Sequence, residues 1–175
     1  TDQACNDPRI RRRPEPALYD LKMSVRKGAI IMRYAKLERI VKTYYDNLAA
    51  GRITARKCLD CGAVEWPPLL GCNTCGSTNM EWIDMSGKGK MVQMVMPSPI
   101  TMRPEMEDIK PYCLAVVETE EGNAVNVMVR GVNRKNRKLV EEMIPADVHA
   151  VIIPRDGYDT VIFELDNIPE PPAKK

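Results

Sequence analysis

The chain has 175 residues and a net charge of +2, with 44% hydrophobic and 29% charged side chains. This length fits one ordinary domain or two small ones, and the absence of any run of 18 apolar residues predicts no membrane-spanning helix. Residues 1–57 carry 14 Lys and Arg against 6 Asp and Glu, whereas residues 58–175 carry 12 against 18. A basic part of charge +8 therefore precedes an acidic body of charge −6.

The first predicted segment, residues 1–17, is a disordered or extended tail. Pro8, Pro14 and Pro16 oppose helix formation there, and the segment has no apolar core of a signal peptide. We therefore expect a cytoplasmic protein.

Residues 18–51 are predicted to form a helix or a pair of helices. Apolar side chains recur there at spacings of three and four, and Gly51 follows as a stop signal. Such a stripe has to be buried, either against the body of this chain or against a partner protein. The candidate partner contacts along the stripe are Ile30, Tyr34, Leu37 and Val41.

Residues 52–81 contain a repeated cysteine motif. Cys58-Leu-Asp-Cys61-Gly62 recurs as Cys72-Asn-Thr-Cys75-Gly76, with ten residues between the two pairs. Two Cys-x-x-Cys turns supply four thiolates to one tetrahedral metal ion, and the glycine after each second cysteine permits the positive φ that such a turn needs. A site closed by four cysteines leaves no position for a catalytic water. The motif therefore predicts a structural zinc ribbon with Cys58, Cys61, Cys72 and Cys75 as ligands.

Two other interpretations of these cysteines remain open. A rubredoxin-type iron site uses the same four ligands, although no other redox feature accompanies them here. Six cysteines would also allow three disulfides in a secreted protein, but two Cys-x-x-Cys pairs are more typical of metal binding in a reducing compartment.

Residues 82–168 are predicted to form β-structure. Apolar strands are expected over residues 88–96 and 112–119, and Val125, Val127 and Val129 alternate with polar neighbours as in a half-buried strand. A further hairpin is expected over residues 147–165, turning at Asp156-Gly157. Five strands with these connections favour a closed barrel of the OB type, followed by a tail over residues 169–175. The predicted fold class is thus mainly β, with an N-terminal helical segment, a Cys₄ zinc ribbon and a five-stranded OB-fold barrel.

Several short motifs between Tyr44 and Leu165 resemble those of a known family. They are Tyr45–Ile53, the two cysteine turns with their glycines, Trp66-Pro67-Pro68, Ser77, Glu81-Trp82, Ser86-Gly87-Lys88-Gly89 and Pro111-Tyr112. In these motifs the chain is similar to proteins that carry a rubredoxin-like zinc ribbon followed by an OB-fold and that associate with acyl-CoA enzymes. Two positions depart from the family pattern: Leu69 stands where arginine is common, and Asn73 stands where proline is common.

The resemblance implies a non-catalytic scaffold subunit, joined to a thiolase-superfamily enzyme or an acyl-CoA hydratase, that helps to form the site for coenzyme A or its pantetheine arm. The partner would then carry the catalytic residues. Trp66 and Leu69 join the helix stripe as candidate partner contacts, although Trp66 is equally compatible with a local cap over the metal. Six basic residues could contact the phosphates of coenzyme A through charge-assisted hydrogen bonds, namely Arg103, Lys110, Arg134, Lys135, Arg137 and Lys138. The alternative is that they are ordinary solvated surface residues.

Three further function classes are compatible with parts of the sequence. Zinc ribbons and OB-folds also bind single-stranded nucleic acid, but the acidic body would repel phosphates. Electron transfer would require iron in place of zinc. An independent cysteine enzyme would need Cys113 beside the single histidine, His149, yet both lie in predicted strands without an activating loop motif.

Overall fold

The structure is a computed structural model that describes residues 38–98, 104–155 and 157–169. The two tails, most of the predicted helical segment and the predicted contacts Ile30, Tyr34, Leu37 and Arg103 lie outside the described residues. Among the helices that the structure describes, none has the length and apolar character needed to cross a membrane.

One helix, two sheets and a second short helix follow one another along the described chain. Helix α1 (Arg39–Ala49) leads into strands β1 (Thr54–Cys58), β2 (Val64–Glu65) and β3 (Met80–Asp84), which form one three-stranded sheet in the order β2-β1-β3. The remaining elements are β4 (Lys88–Val95), a 3₁₀ helix (Pro104–Ile109), β5 (Tyr112–Thr119), β6 (Ala124–Arg130), α2 (Arg137–Met143), β7 (Ala146–Arg155) and β8 (Tyr158–Leu165).

The five later strands close into a barrel in the order β4-β5-β6-β8-β7, which confirms the predicted fold class. The alternation of side chains along each strand decides which of them face inward. Along β5, Cys113, Ala115 and Val117 are buried, whereas Leu114 and Glu118 are exposed. This period of two places an apolar core inside the barrel and leaves the polar positions in water.

The small sheet belongs to the ribbon and extends further than the sequence indicated. Strand β3 pairs with β1 along its whole length, from Cys58 opposite Met80 to Thr54 opposite Asp84. The boundary expected after residue 81 therefore falls inside a strand. The ribbon sheet ends at Asp84, and the barrel begins at Lys88, because the chain turns at Gly87, whose φ is 74°.

The ribbon and the barrel share one core. The indole of Trp66, from the ribbon, is only 7% exposed, and its ring packs edge-on against Phe163 of β8 at a centroid distance of 6.2 Å. The side chain of Asn123, in the turn between β5 and β6, donates a 2.7 Å hydrogen bond to the carbonyl oxygen of Trp66. The geometry of the metal site is thereby tied to that of the barrel.

Candidate metal centre

The four cysteines of the motif meet at one point of the ribbon. Their sulfur atoms all lie within 4.8 Å of one another, with 3.6 Å between Cys58 and Cys75 and 3.5 Å between Cys61 and Cys72. Sulfurs at the corners of a tetrahedron around zinc, with Zn–S bonds of about 2.3 Å, would be separated by about 3.8 Å. The donor set and its spacing therefore fit a tetrahedral Zn²⁺, whose role at a four-thiolate site is structural.

Each cysteine pair sits on a turn that closes at the following glycine. The N–H of Gly62 donates to the carbonyl of Cys58 at 2.9 Å, and the N–H of Gly76 donates to that of Cys72 at the same distance. The two glycines have φ values of 79° and 75°, which confirms the predicted positive φ. A Cβ atom would meet no neighbour within 4 Å at either position, so backbone conformation and not lack of space favours glycine.

Backbone amides around the first turn favour the thiolate form of Cys58. Hydrogen bonding from the backbone of Cys61, the largest cause, and from that of Asp60 lowers the Cys58 pKa to about 7, against the opposing effect of burial. Thiolates are the form that binds zinc, so these amides favour the metal-binding form of Cys58.

A polar network joins the first cysteine turn to the chain that leaves the second. The Asp60 carboxylate accepts hydrogen bonds from the hydroxyl of Ser77 and, at 3.0 Å, from the side-chain amide of Asn79. These bonds lower the pKa of Asp60, with the Ser77 contribution the largest. Ser77 Oγ also accepts from the backbone N–H of Asn79, so the two turns are linked independently of the metal.

Glu65 anchors the second cysteine turn from the strand beside it. Its side chain is buried, at 8% exposure, and its carboxyl oxygens accept from the backbone N–H of Asn73 at 2.7 Å and from the Asn73 side chain at 3.2 Å. A proline at position 73 would have no N–H to donate. The departure from the family pattern at Asn73 is therefore matched by this carboxyl partner. Sequence reasoning noticed the departure but not Glu65, since nothing local couples the two positions.

We expect Asn73→Pro to destabilise the ribbon by about 1.5–3 kcal/mol, because the buried Glu65 carboxyl group loses both of its donors. Chemical denaturation with zinc present, followed through the emission of the ribbon tryptophans, measures the change. Asn73→Ala is the matched control, since it removes only the side-chain bond and keeps the N–H. Equal stability of the proline and alanine variants would contradict the role of the backbone bond.

Arg56 of β1 fixes the loop that precedes the second turn. Its guanidinium donates to the carbonyl oxygens of Leu69 at 2.9 Å, Leu70 at 3.1 Å and Met80 at 2.8 Å, and it lies 5.9 Å from the ring centroid of Trp82. The leucine side chains of this loop point to solvent, with Leu69 38% and Leu70 72% exposed. The loop thus presents apolar side chains on a backbone that is held in place.

The predicted partner contacts fall into two groups. Val41, on α1, and Leu69 are each more than a third exposed and are available as surface. Trp66 is instead buried between the ribbon and Phe163, so it is neither an exposed contact nor a cap confined to the metal site. Its aromatic ring packs in the core that the ribbon and the barrel share.

The basic residues predicted to contact coenzyme A lie in two places. Lys110 follows the 3₁₀ helix and forms an ion pair of 2.5 Å with Glu107. The other four lie around the start of α2, where Arg137 pairs with Glu141 at 2.7 Å. Within the part of the chain that the structure describes, no ion pair joins an acidic residue to Arg134, Lys135 or Lys138, all of which are exposed. The cluster around α2 therefore offers three exposed basic side chains that join no ion pair among the described residues.

Asn136 and Asn133 hold this basic segment in shape. The Asn136 side chain is buried, donates to the carbonyl of Gly131 at 2.9 Å and accepts from the N–H of Asn133 at 2.7 Å. Asn133 in turn accepts from the N–H groups of Lys135 and Asn136. The exposed basic side chains thus project from a constrained loop.

Cys113 and His149 do not form a nucleophile–base pair in the structure. Cys113 is fully buried in the barrel, and burial raises its pKa to about 11. His149 is half exposed on β7, and its Nδ1 lies 2.6 Å from a carboxylate oxygen of Asp166. A thiol held protonated by burial is a poor nucleophile, which argues against the cysteine-enzyme alternative.

Comparison with known proteins supports a zinc ribbon. Residues 46–81 match the family model described as the ChsH2 rubredoxin-like zinc ribbon domain. A DUF35 domain-containing scaffold protein of Methanothermobacter thermautotrophicus is 36% identical over 90 residues, which cover 51% of this chain and 66% of that protein. A second one, from Pyrococcus furiosus, is 38% identical over 76 residues, which cover 42% and 52%. The chain thus spans just under two thirds of one relative and about half of the other.

A solved structure described as an Ltp2-ChsH2(DUF35) aldolase has the same fold. It superposes with a TM-score of 0.56 at 20% identity, over 75% of this chain and 98% of that one. At this identity the likeness concerns the fold alone. Together, the family match and the four converging thiols show a Cys₄ zinc ribbon in this chain that is similar to the rubredoxin-like domain of that family.

Proposed function

We propose that this chain is a non-catalytic scaffold subunit of an acyl-CoA enzyme complex, with a thiolase-superfamily enzyme as its partner. The zinc ion holds the ribbon, and the ribbon presents a docking surface to the partner. Support comes from the match to the zinc ribbon model, from the similarity to two proteins named as scaffolds and from the family resemblance of the ribbon and barrel motifs.

One observation carries the proposal: the apolar surface around the metal turns is both exposed and fixed. Leu59, Leu69 and Leu70 are 55%, 38% and 72% exposed. Leu59 lies between the first two cysteines, and Arg56 holds the carbonyls of the other two. Exposed apolar side chains on a constrained backbone are typical of protein–protein contacts, because their burial gains free energy at little entropic cost.

The basic cluster around α2 supports the coenzyme A part of the proposal. Arg134 and Lys135 are exposed on the loop that Asn133 and Asn136 constrain, and Lys138 is exposed in the first turn of α2. Charge-assisted hydrogen bonds to phosphates would use these side chains without breaking an ion pair that the described residues form. In this arrangement the chain binds the nucleotide end of coenzyme A while the partner carries the thioester chemistry.

The narrower form of the proposal concerns the reaction. We propose that this chain corresponds to the small zinc-binding subunit of benzoylsuccinyl-CoA thiolase, the thiolase of anaerobic toluene degradation, which its sequence resembles. The partner would then supply a nucleophilic cysteine and acid–base groups for C–C cleavage, and this chain would supply shape and part of the coenzyme A channel. An acyl-CoA hydratase as partner is the alternative that preserves the scaffold role.

The test is affinity purification of the tagged chain from its native host, with mass spectrometry of the partner and metal analysis of the same sample. We expect a thiolase-like subunit in near-equal amount and one zinc per chain. A Leu69→Ser/Leu70→Ser variant should recover at least about tenfold less partner than the unmodified chain. It should keep its zinc, because both side chains are already exposed when the chain is alone.

Ile168→Ser is the matched control, since Ile168 is 58% exposed beyond β8 and lies outside the ribbon. It should recover as much partner as the unmodified chain. A hydratase-like partner would keep the scaffold role and overturn the thiolase assignment. A chain that purifies alone, or with nucleic acid, would overturn the scaffold proposal itself.

A further inference from the structure

Strand β3 forms one edge of the ribbon sheet. It pairs with β1 over five consecutive residues without a register shift, and no described strand pairs with its other side. The opposite edge strand, β2, has only two residues. A regular edge of five residues can bind a further strand, whereas a very short edge strand is one of the features by which proteins avoid such pairing.

The backbone groups of β3 point alternately to β1 and to the free edge. Met85, just after β3, donates its N–H to the carbonyl of Ile53 at 2.9 Å, so the odd-numbered residues of β3 bond to β1. The N–H and C=O groups of the even-numbered residues therefore point away from the sheet. Among the described residues, Trp82 and Asp84 find no backbone partner for these groups.

The free edge begins beside the exposed leucine loop. The guanidinium of Arg56 donates to the carbonyl of Met80, the first residue of β3, and also to the carbonyls of Leu69 and Leu70. One guanidinium bonded to all three oxygens holds the loop next to the start of the edge. The rest of the edge has no such cap, and β3 contains neither proline nor lysine, which commonly protect edge strands.

The edge also lies in an acidic part of the chain. Residues 58–84 contain no Lys or Arg and four acidic residues, namely Asp60, Glu65, Glu81 and Asp84. A zinc ion with four thiolates would add a net charge of about −2. Glu81 is exposed on β3, and it forms no ion pair with Lys57, which lies opposite it on β1. Basic side chains on an incoming strand would therefore be favoured.

We propose that an extended segment of the partner subunit adds to the free edge of β3 as a fourth strand of the ribbon sheet. Its backbone bonds to the N–H and C=O groups of Trp82 and Asp84, it carries basic side chains toward Glu81, and the residues beside it cover Leu69 and Leu70. An extended backbone supplies donors and acceptors at the spacing of this edge, which identifies the occupant as a peptide strand. Its assignment to an enzyme subunit rests on the proposed function, whereas the free edge does not.

Hydrogen exchange at single-residue resolution tests the edge, first in the zinc-loaded chain alone and then in its complex with the co-purified partner. In the chain alone, the amides of Glu81 and Ile83 should be protected by β1, and those of Trp82 and Asp84 should exchange at least about tenfold faster. In the complex, the Trp82 and Asp84 amides should slow by at least about tenfold. Amides that are already slow in the free chain, or that stay fast in the complex, would overturn the proposal.

A proline substitution removes one donor from the edge and leaves the pairing with β1 intact. Trp82→Pro lacks the N–H that points to the edge, a position at which strands tolerate proline. Trp82→Ala is the matched control, since it also loses the indole and its contact with Arg56 but keeps the N–H. Both variants should keep their zinc, and Trp82→Pro should bind the partner about tenfold more weakly than Trp82→Ala.

Equal binding by the two variants would contradict strand addition. If Trp82→Pro loses its zinc, the exchange measurement on the unmodified chain decides. A partner that co-purifies but leaves the Trp82 and Asp84 amides fast would remove the added strand and leave the scaffold function standing. Protection of the same amides in a dimer of this chain alone, detected by light scattering, would overturn the assignment to a partner subunit. A chain that captures no partner would overturn both this inference and the scaffold function.

Discussion

A Cys72→Ser variant is expected to purify without its metal and with an unfolded ribbon. Cys72 is buried, at 4% exposure, and its sulfur lies 3.5 Å from that of Cys61. Serine cannot replace a thiolate as a zinc ligand, and in small zinc domains the metal supplies about 10–16 kcal/mol of apparent binding energy that is also folding energy. The ribbon sheet has only three strands, one of them two residues long, so it has little else to hold it.

The zinc content should fall from one ion per chain to nearly none, and the ribbon should no longer take part in the thermal transition that it shares with the barrel. Cys113→Ala is the matched control, because Cys113 is a buried thiol outside the cluster, and this variant should keep its zinc. A colourless protein with stoichiometric zinc would also remove the iron alternative. Full metal content and unchanged thermal stability in Cys72→Ser would refute the four-cysteine site.

The cysteine site could be predicted from sequence because all of its determinants are local. Each thiolate pair and its glycine lie within five consecutive residues, and the turn geometry follows from that spacing. Most barrel strands could also be predicted, since the apolar run of β5 and the alternation along β6 are both visible in the sequence. Short elements were not: β2 has two residues, and α2 buries only Val140 along a run of charged side chains.

The remaining features depend on contacts between distant parts of the chain. Glu65 and Asn73 are eight residues apart, and neither residue signals the other. The extension of the ribbon sheet to Asp84 could not be predicted because β3 joins that sheet only through its pairing with β1. For Trp66, the sequence left a metal cap and a docking surface open. The actual position, against Phe163, joins residues almost a hundred positions apart.

Trp66→Ala is therefore expected to destabilise the whole described body and not only the ribbon. The indole is 7% exposed, belongs to the same cluster as the barrel core and touches the Phe163 ring edge-on. Truncation of a buried tryptophan typically costs about 3–5 kcal/mol, since the lost apolar contact leaves a cavity. Urea denaturation should show that the free energy of unfolding falls by this amount. Spectroscopic probes in the barrel and in the ribbon should no longer report one common unfolding transition.

Trp82→Ala is the matched comparison because it removes an equal volume from the other tryptophan. Trp82 is half-buried on β3 and contacts the Arg56 guanidinium, so its loss should cost about 1 kcal/mol and leave a single transition. The difference between the stability losses of the two variants measures the contribution of the packing between ribbon and barrel. Equal losses with one common transition would mean that Trp66 is an ordinary ribbon residue and that the metal site and the barrel are held together elsewhere.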